Sequence, residues 1–193
     1  MRDMSPQPQI NVLPSQTMCC HPATPCPAVS RIEVDSALTT DGHLTLQYRI
    51  FTQPLGILLA PPHPPGAADN LWQHTCCEAF IAAVNQPEYR EFNFSPSRQW
   101  AAYRFTAYRQ RDTSFSPPTH PQVSLRCLHD RIVLDAVLDK SLLPAGPTLQ
   151  IGLSTVIEAA DGSKSYWALR HCTAQPDFHH CQSFALTLNT APP

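Results

Sequence analysis

Charged residues are scarce in this sequence, and so are glycines. Asp, Glu, Lys and Arg make up 15% of the 193 residues, and only 6 residues are glycine, whereas globular domains usually carry about a quarter charged residues. Proline, in contrast, occurs 21 times. Because proline interrupts helices and the central strands of sheets, this composition excludes a mainly helical protein and predicts many short strands joined by proline-rich turns.

A surplus of basic residues is also missing. The chain has 13 Lys and Arg against 15 Asp and Glu, a net charge of −2. Binding to phosphates requires clustered Lys and Arg, so we expect no nucleic-acid partner. No run of about 18 apolar residues occurs, so no membrane span is expected either. The first residues lack the apolar core of an export signal, which predicts a cytoplasmic location.

Sequence signatures of catalysis are absent. The chain has no nucleophile elbow, no phosphate-binding loop, no zinc-protease helix motif and no dinucleotide-binding glycine motif. Without an activated nucleophile or base, the sequence predicts a binding protein rather than an enzyme. A carboxylate pair such as Glu78 and Glu91 would be needed for glycoside hydrolysis, and the sequence does not give their separation.

Cysteine occurs eight times, twice as adjacent pairs. A chain without an export signal belongs in a reducing compartment, so we expect reduced, mostly structural thiols. Adjacent cysteines are also poorly spaced for zinc half-sites. The alternative is a metal site near the start of the chain, formed by Cys19, Cys20, His21 and Cys26.

Alternating apolar and polar residues predict strands along the chain. Residues 44–50 alternate with a period of two, typical of a half-buried strand, and follow a turn at Asp41 and Gly42. Residues 29–34 precede that turn and complete a hairpin. A second hairpin joins residues 149–158 to 164–171 through Asp161 and Gly162. Further strands are predicted at 75–84, 88–95, 99–107, 122–127, 131–138 and 183–188, with one short helix at 140–143.

These elements predict an all-β fold, an antiparallel β-sandwich of about ten strands. Short strands separated by turn signals favour a sandwich, and no strand and helix alternation points to an α/β fold. No linker divides the chain, so we expect a disordered leader over residues 1–9 and a single domain over residues 10–190.

Polar residues that could bind a ligand concentrate between residues 69 and 109. Glu78 lies inside an otherwise apolar predicted strand, where a carboxylate must be hydrogen-bonded or face a ligand. Glu91 and Asn93 share one face of the next strand, and Arg104 follows among aromatic residues. Such a face is typical of a site for a polar organic ligand. The alternative is a structural ion pair between Glu78 and Arg104.

Histidines near the C-terminus offer a second kind of site. Adjacent His179 and His180 point to opposite sides of an extended chain, so both cannot easily bind one metal. His171 could share a metal with one of them. Hydrogen-bonded structural histidines are the alternative.

Several longer strings of residues resemble the bacterial DOMON-like family, which is related to family 9 carbohydrate-binding modules and to DOMON domains that bind sugar or haem. The likeness covers residues 10–188 and rests on these strings: His21-Pro22-x-Thr24-Pro25, Leu71-Trp72, Thr75-Cys76-x-Glu78-x-Phe80, Glu91-Phe92-Asn93-Phe94-Ser95-Pro96-x-x-x-Trp100, Tyr103-Arg104-Phe105, Ser165-Tyr166-Trp167-Ala168-Leu169 and Pro176-Asp177-Phe178-His179.

The resemblance implies a β-sandwich, with a jelly-roll or immunoglobulin-like arrangement, and a ligand site on one sheet. In family 9 modules two tryptophans sandwich a sugar, a role that would fall to Trp72 and Trp167, while Glu78 would accept from sugar hydroxyls. Haem-binding relatives imply an alternative in which two of His74, His171 and His179 are axial ligands.

Together these observations predict a non-catalytic module that binds a small molecule, with a carbohydrate or sugar-containing metabolite as the leading class and no cofactor. The alternatives are a haem-binding domain, and a small enzyme or protein-interaction domain. The predicted ligand-binding residues are Trp72, Glu78, Glu91, Asn93, Arg104 and Trp167.

Overall fold

The structure, a computed structural model, describes residues 11–53 and 55–190, and the predicted leader lies outside them. Fourteen strands and three short 3-10 helices follow one another in this part of the chain. The strands are β1 (Asn11–Val12), β2 (Gln16–Cys20), β3 (Val29–Leu38), β4 (Leu44–Thr52), β5 (Gly66–Ala67), β6 (Cys76–Ala83), β7 (Tyr89–Phe94), β8 (Gln99–Ala107), β9 (Gln110–Arg111), β10 (Gln122–Cys127), β11 (Arg131–Leu138), β12 (Thr148–Glu158), β13 (Lys164–Ala168) and β14 (Leu186–Asn189).

These strands form one curled, mixed sheet in the order β10-β11-β4-β3-β2-β13-β12-β6-β7-β8-β5. The short strand β2 connects its two halves. Residues Gln16 to Met18 pair with β3, and Cys19 and Cys20 pair with β13. We call β10, β11, β4 and β3 the first half, and β13, β12, β6, β7 and β8 the second half. Strands β5 and β8 run parallel, and the other pairings described are antiparallel.

The main core lies between the two halves. Each strand points alternate side chains inward, and Ile32, Tyr48 and Leu134 of the first half pack in one cluster with Ile81 and Phe92 of the second. The buried Tyr48 hydroxyl donates to the main-chain oxygen of Glu78 across this core, at 2.9 Å. The core thus holds the two halves face to face, an arrangement compatible with a sandwich.

The all-β prediction is confirmed, as are both hairpins. The turn at Asp41 and Gly42 connects β3 to β4, and the turn at Asp161 and Gly162 connects β12 to β13. Both glycines have positive φ, at 86° and 81°, a conformation that side chains with a Cβ rarely adopt. The predicted short helix is a 3-10 helix, Lys140–Leu142, capped by the Asp139 carboxylate.

The predicted strand number and sheet arrangement need correction. The sequence patterns missed β1, β2, β5 and β9, because strands of two to five residues carry too little periodicity to detect. The observed strand order is a continuous curled sheet rather than a clear jelly-roll, since β2 joins the two halves edge to edge.

The outer face of the second half is covered by the chain between β13 and β14. We call residues 169–185 the covering segment; its Phe178, His179 and Phe184 rings pack against Phe80 of β6. Gly152 of β12 permits this approach, because a Cβ there would lie 2.7 Å from Phe184 Cδ1. A second apolar cluster therefore forms outside the main core.

Within the described ranges, no helix is long and apolar enough to cross a lipid bilayer.

Candidate functional site

A cavity of about 620 Å³ opens between the outer face of the second half and the covering segment. Strands β6, β7 and β8 form its floor, and the loop before β6 and the covering segment form its walls. It is lined by Thr24, Asn70, Trp72, Glu78, Phe80, Glu91, Tyr103, Phe105, Arg109, Arg111, Val156, Tyr166, Gln175, Pro176, Phe178 and His179.

Glu78 stands on the floor of this cavity and is almost completely buried, with 2% of its surface exposed. The alternation of β6 turns Glu78 and Phe80 outward while Cys77 and Ala79 enter the main core. The Ser154 hydroxyl donates to Glu78 Oε2 at 3.3 Å. Among the described residues, Oε1 has no hydrogen-bond donor. The described residues therefore provide a hydrogen-bond donor to only one of the two oxygens of this carboxyl group.

Glu91 lies on the neighbouring strand β7 and is 6% exposed. Its Oε1 accepts a hydrogen bond of 2.7 Å from the Asn93 amide, and its Oε2 lies 3.7 Å from His179 Nε2. Register places Glu91 opposite Phe80, and Asn93 opposite Glu78. The two carboxyl groups therefore sit on adjacent strands, two residues apart in register.

Burial and mutual repulsion change the protonation of this pair. Desolvation raises the pKa of Glu78 well above its usual range, and the charge of Glu91 raises it further. Burial also raises the pKa of Glu91 to about 7, although the Asn93 hydrogen bond and the nearby arginines oppose that shift. Burial therefore favours the protonated, neutral form of both carboxyl groups on the floor.

His179 of the covering segment closes one side of the floor. Its Nδ1 is 2.8 Å from the Tyr89 hydroxyl, and the Tyr89 oxygen accepts from the main-chain N–H of Arg109. Burial lowers the pKa of His179 to about 4, and Arg109 lowers it as well. The ring is thus neutral near pH 7, and its Nδ1 forms a hydrogen bond with the Tyr89 hydroxyl.

Aromatic rings make up much of the wall. Trp72 projects from a 3-10 helix, Leu71–Gln73, that follows Asn70 in a left-handed conformation, and it remains 47% exposed. Tyr103 and Phe105 come from β8, and Tyr166 comes from β13. The site thus combines carboxyl groups below with rings around them.

Two arginines border the cavity, and each is engaged elsewhere. Arg109 Nη2 lies 2.9 Å from the Asp177 carboxylate. The Arg111 guanidinium stacks 4.0 Å from the centre of the Tyr103 ring and is 3.7 Å from Asp69. Their positive charges are therefore directed to aspartates and a ring rather than into a direct ion pair with the floor.

The structure brings together Trp72, Glu78 and Glu91 from the predicted ligand-binding set, with Asn93 buried behind Glu91. Arg104 lies outside the cavity, where it pairs with Asp112 rather than with Glu78.

Trp167 also lies outside the cavity, in the main core, where it is 6% exposed and donates to Ser165. Register explains its position. Trp167 pairs with Thr155, whose side chain faces the core, so the adjacent Tyr166 faces the cavity instead.

The three histidines predicted for haem or metal do not converge. His74 pairs with Glu158 at 2.7 Å, and His171 bonds to the main-chain oxygen of Cys19 at 2.9 Å. Of the three, only His179 lines the cavity. In the described ranges, no group of three or more His, Cys, Asp and Glu side chains is arranged to hold a metal ion, and all eight cysteines are free thiols.

Several cavity residues were missed by the sequence patterns. Tyr103 and Tyr166 were passed over beside more conspicuous neighbours. Arg109 stands in a turn and Arg111 in the two-residue strand β9, and neither has a periodic pattern around it. Phe178 belongs to the irregular covering segment. The alternation of β8 would have pointed to Tyr103 once the side bearing Glu91 was known, but nothing in the sequence indicates that the covering segment returns to this face.

Comparison with known proteins indicates a fold relationship. A solved structure from Bacteroides uniformis, named a "putative carbohydrate-binding protein", superposes with a TM-score of 0.64 at 15% sequence identity, over 91% of this chain and 85% of that one. At this identity the likeness shows the fold alone. No family model matches the sequence, and a search of curated proteins finds no match. The DOMON-like resemblance therefore stays a prediction, and the chain is similar in fold to a β-rich protein of that description.

Proposed function

We propose that this protein binds a small polar ligand in the cavity on the second half without changing it chemically, and that the ligand belongs to the carbohydrates. The observation that carries this proposal is the pair of buried carboxyl groups, Glu78 and Glu91, at the floor of an aromatic-lined cavity.

The chemistry of the cavity supports a sugar. Carboxyl oxygens accept hydrogen bonds from hydroxyl groups, and Oε1 of Glu78 has no donor among the described residues. Sugar rings also have apolar faces that pack on aromatic planes. Trp72 at the mouth and Tyr166 in the wall provide such planes. A volume of about 620 Å³ is in the range of small-molecule sites.

The Bacteroides uniformis protein adds support from outside the chain, because its name includes carbohydrate binding and the two folds share most of their length. The support is limited to the class of ligand, since fold similarity does not transfer individual site residues.

Trp72 provides a direct test by fluorescence. The other two tryptophans, Trp100 and Trp167, are buried, so a ligand in the cavity should change the emission of Trp72 above all. A panel of mono- and oligosaccharides is titrated into the full chain and into the variant Trp72→Phe. We expect a saturable emission change that is lost in the variant, with the sugar recovered intact.

Leu128→Ala is the matched control, because Leu128 is 49% exposed but lies away from the cavity. This variant should bind as the unmodified chain does. Binding that survives both Trp72→Phe and Glu78→Gln would contradict the proposed site, and turnover of the sugar would contradict a non-catalytic role.

A further inference from the structure

The cavity floor lacks a positive charge to match its carboxyl groups. Glu78 has no ion-pair partner among the described residues, and Glu91 has only His179, at 3.7 Å. Burial lowers the pKa of that histidine, which keeps it neutral. Because buried charges are normally paired, these carboxyl groups can ionise favourably only beside a cation, and the described part of the protein provides none there.

We infer that the ligand carries a protonated amine that lies between Glu78 and Glu91, and that it is therefore an amino sugar rather than a neutral one. This inference rests on the proposed function and narrows its ligand class.

The position of the arginines favours this assignment over an anionic ligand. Arg109 is neutralised by Asp177, and Arg111 lies over the Tyr103 ring near Asp69. Both arginines therefore already have a carboxylate within 4 Å. Glu78, in contrast, has no positively charged partner among the described residues. The uncompensated potential of the site is acidic once the floor carboxyls ionise.

The aromatic rings favour a cation for a second reason. The faces of Trp, Tyr and Phe rings attract positive charge, most strongly where water is excluded. Phe80, Phe105 and Tyr103 lie on the same sheet face as the two carboxyl groups, and Trp72 borders them. An ammonium group would thus meet carboxylates on one side and rings on the others.

Binding of such a ligand should release protons. Burial and repulsion favour the protonated forms of the floor carboxyl groups, whereas a neighbouring ammonium group favours the ionised carboxylates. The titratable and charged groups that face the pair are Cys76 of β6, Tyr89 of β7, Tyr103 of β8, Arg109 and Arg111 after β8, and His179 of the covering segment. The tyrosines and the thiol have raised pKa values, so they do not ionise near pH 7.

The test compares oligosaccharides of equal length. A chitosan oligosaccharide carries free amines, a chitin oligosaccharide carries the same backbone with acetylated amines, and a cello-oligosaccharide has hydroxyls there. Each is titrated calorimetrically into the full chain in two buffers of different ionisation enthalpy, at a pH low enough that the chitosan amines are fully protonated before binding. We expect the chitosan form to bind at least about tenfold more tightly than the other two, as a charge-assisted contact would give, and to release protons.

Variants assign the effect to the floor. Glu78→Gln and Glu91→Gln should each reduce the preference for the amine, and Glu91→Gln should weaken the rise in affinity between about pH 5 and 7. Glu88→Gln is the matched control, because Glu88 is a neighbouring carboxyl group outside the cavity. It should leave the preference unchanged.

Equal or tighter binding of a neutral oligosaccharide would overturn the amino-sugar inference and leave the carbohydrate proposal standing. Binding of the chitosan form without proton release, or with its preference intact in both cavity variants, would also overturn the inference. Failure of all three sugars to bind would count against both proposals.

Discussion

The two halves of the sheet share one core but present very different outer faces. On the first half the outward residues form paired charges, in which Arg49 bonds to Glu33 and Asp35, and Arg126 to Asp135. On the second half the outward residues include Glu78 and Glu91, which lie beneath the covering segment without a charged partner of opposite sign. Both faces arise from the same alternation of polar and apolar side chains.

The comparison shows that burial beneath the covering segment, rather than residue type, changes the pKa of a carboxyl group. Glu33 remains partly exposed to water and pairs with arginines, which lower its pKa. Glu91 is removed from water, which raises its pKa to about 7. A carboxyl that keeps its proton at neutral pH can donate as well as accept hydrogen bonds, and that versatility is absent from the open face.

The largest effect should come from Glu91→Gln. In the folded chain the pKa of Glu91 is raised from the usual 4.5 to about 7. Its favourable contribution is therefore complete below pH 4.5 and is lost as pH rises through 7, by about 3 kcal/mol in total. The variant should unfold with a larger free energy than the original chain above pH 7, as measured by urea denaturation across a pH series.

His179 should give the free energy of unfolding the opposite dependence on pH. Because its pKa is lowered to about 4 in the fold, its contribution is present above pH 6.5 and is lost as pH falls through 4. The variant Glu91→Gln should still lose stability at acid pH, because it retains His179. If the free energies of unfolding of the variant and the original chain stay parallel from pH 4 to 8, the raised pKa of Glu91 is contradicted.

Gly152→Ala should have the next largest effect, because it disturbs the contact that covers the second half. The added Cβ would meet Phe184 Cδ1 at 2.7 Å. Overpacking of this kind typically costs about 1–3 kcal/mol. The matched control is Gly66→Ala, where the nearest atom is 4.0 Å away. Denaturant curves should show a larger loss of unfolding free energy for Gly152→Ala than for Gly66→Ala. Similar losses would mean that the covering segment moves to accommodate the added Cβ at little cost.

Tyr89→Phe should produce a smaller loss. It removes the hydroxyl bound to His179 Nδ1 and leaves the main-chain N–H of Arg109 without this acceptor. A net loss of about 1 kcal/mol is expected from thermal or chemical unfolding.

Tyr166→Phe is the control for this change, since no hydrogen bond from the Tyr166 hydroxyl is found among the described residues. It should leave stability nearly unchanged, and an equal loss in both variants would contradict a role for the bond between Tyr89 and His179.

Glu33→Gln on the open face should have the smallest effect. Arg49 retains Asp35, and exposed ion pairs contribute less than about 1 kcal/mol. The small loss should shrink further in high salt. If Glu33→Gln changed the free energy of unfolding as much as Glu91→Gln does, the expected difference between carboxyl groups on the open face and on the covered face would be contradicted.

Much of the fold was predictable because its determinants are local. The strands at 99–107, 122–127 and 131–138 were predicted with the bounds that the structure has, since alternation and turn residues fix such segments without reference to distant parts of the chain. The final strand was predicted to begin three residues too early, because the covering segment that precedes it has no regular pattern.

The site was only partly predictable. Glu78 stood out because an ionisable residue inside an apolar strand needs a special environment. Trp167 was predicted for the site, but the adjacent Tyr166 lines the cavity instead, because both lie on one strand and a shift of one residue exchanges their faces. Only the pairing of β13 with β12 and β2 fixes that choice.

The sequence by itself therefore determined the longer strands, the two glycine-dependent turns and the strand face on which Glu91 and Asn93 lie, because each depends on neighbouring residues. The tertiary structure alone decided which face the covering segment buries, since residues 169–185 reach Phe80 and Tyr89 across about a hundred residues of chain. That burial, which depends on long-range contacts, raises the pKa values of the two glutamates on the floor of the cavity.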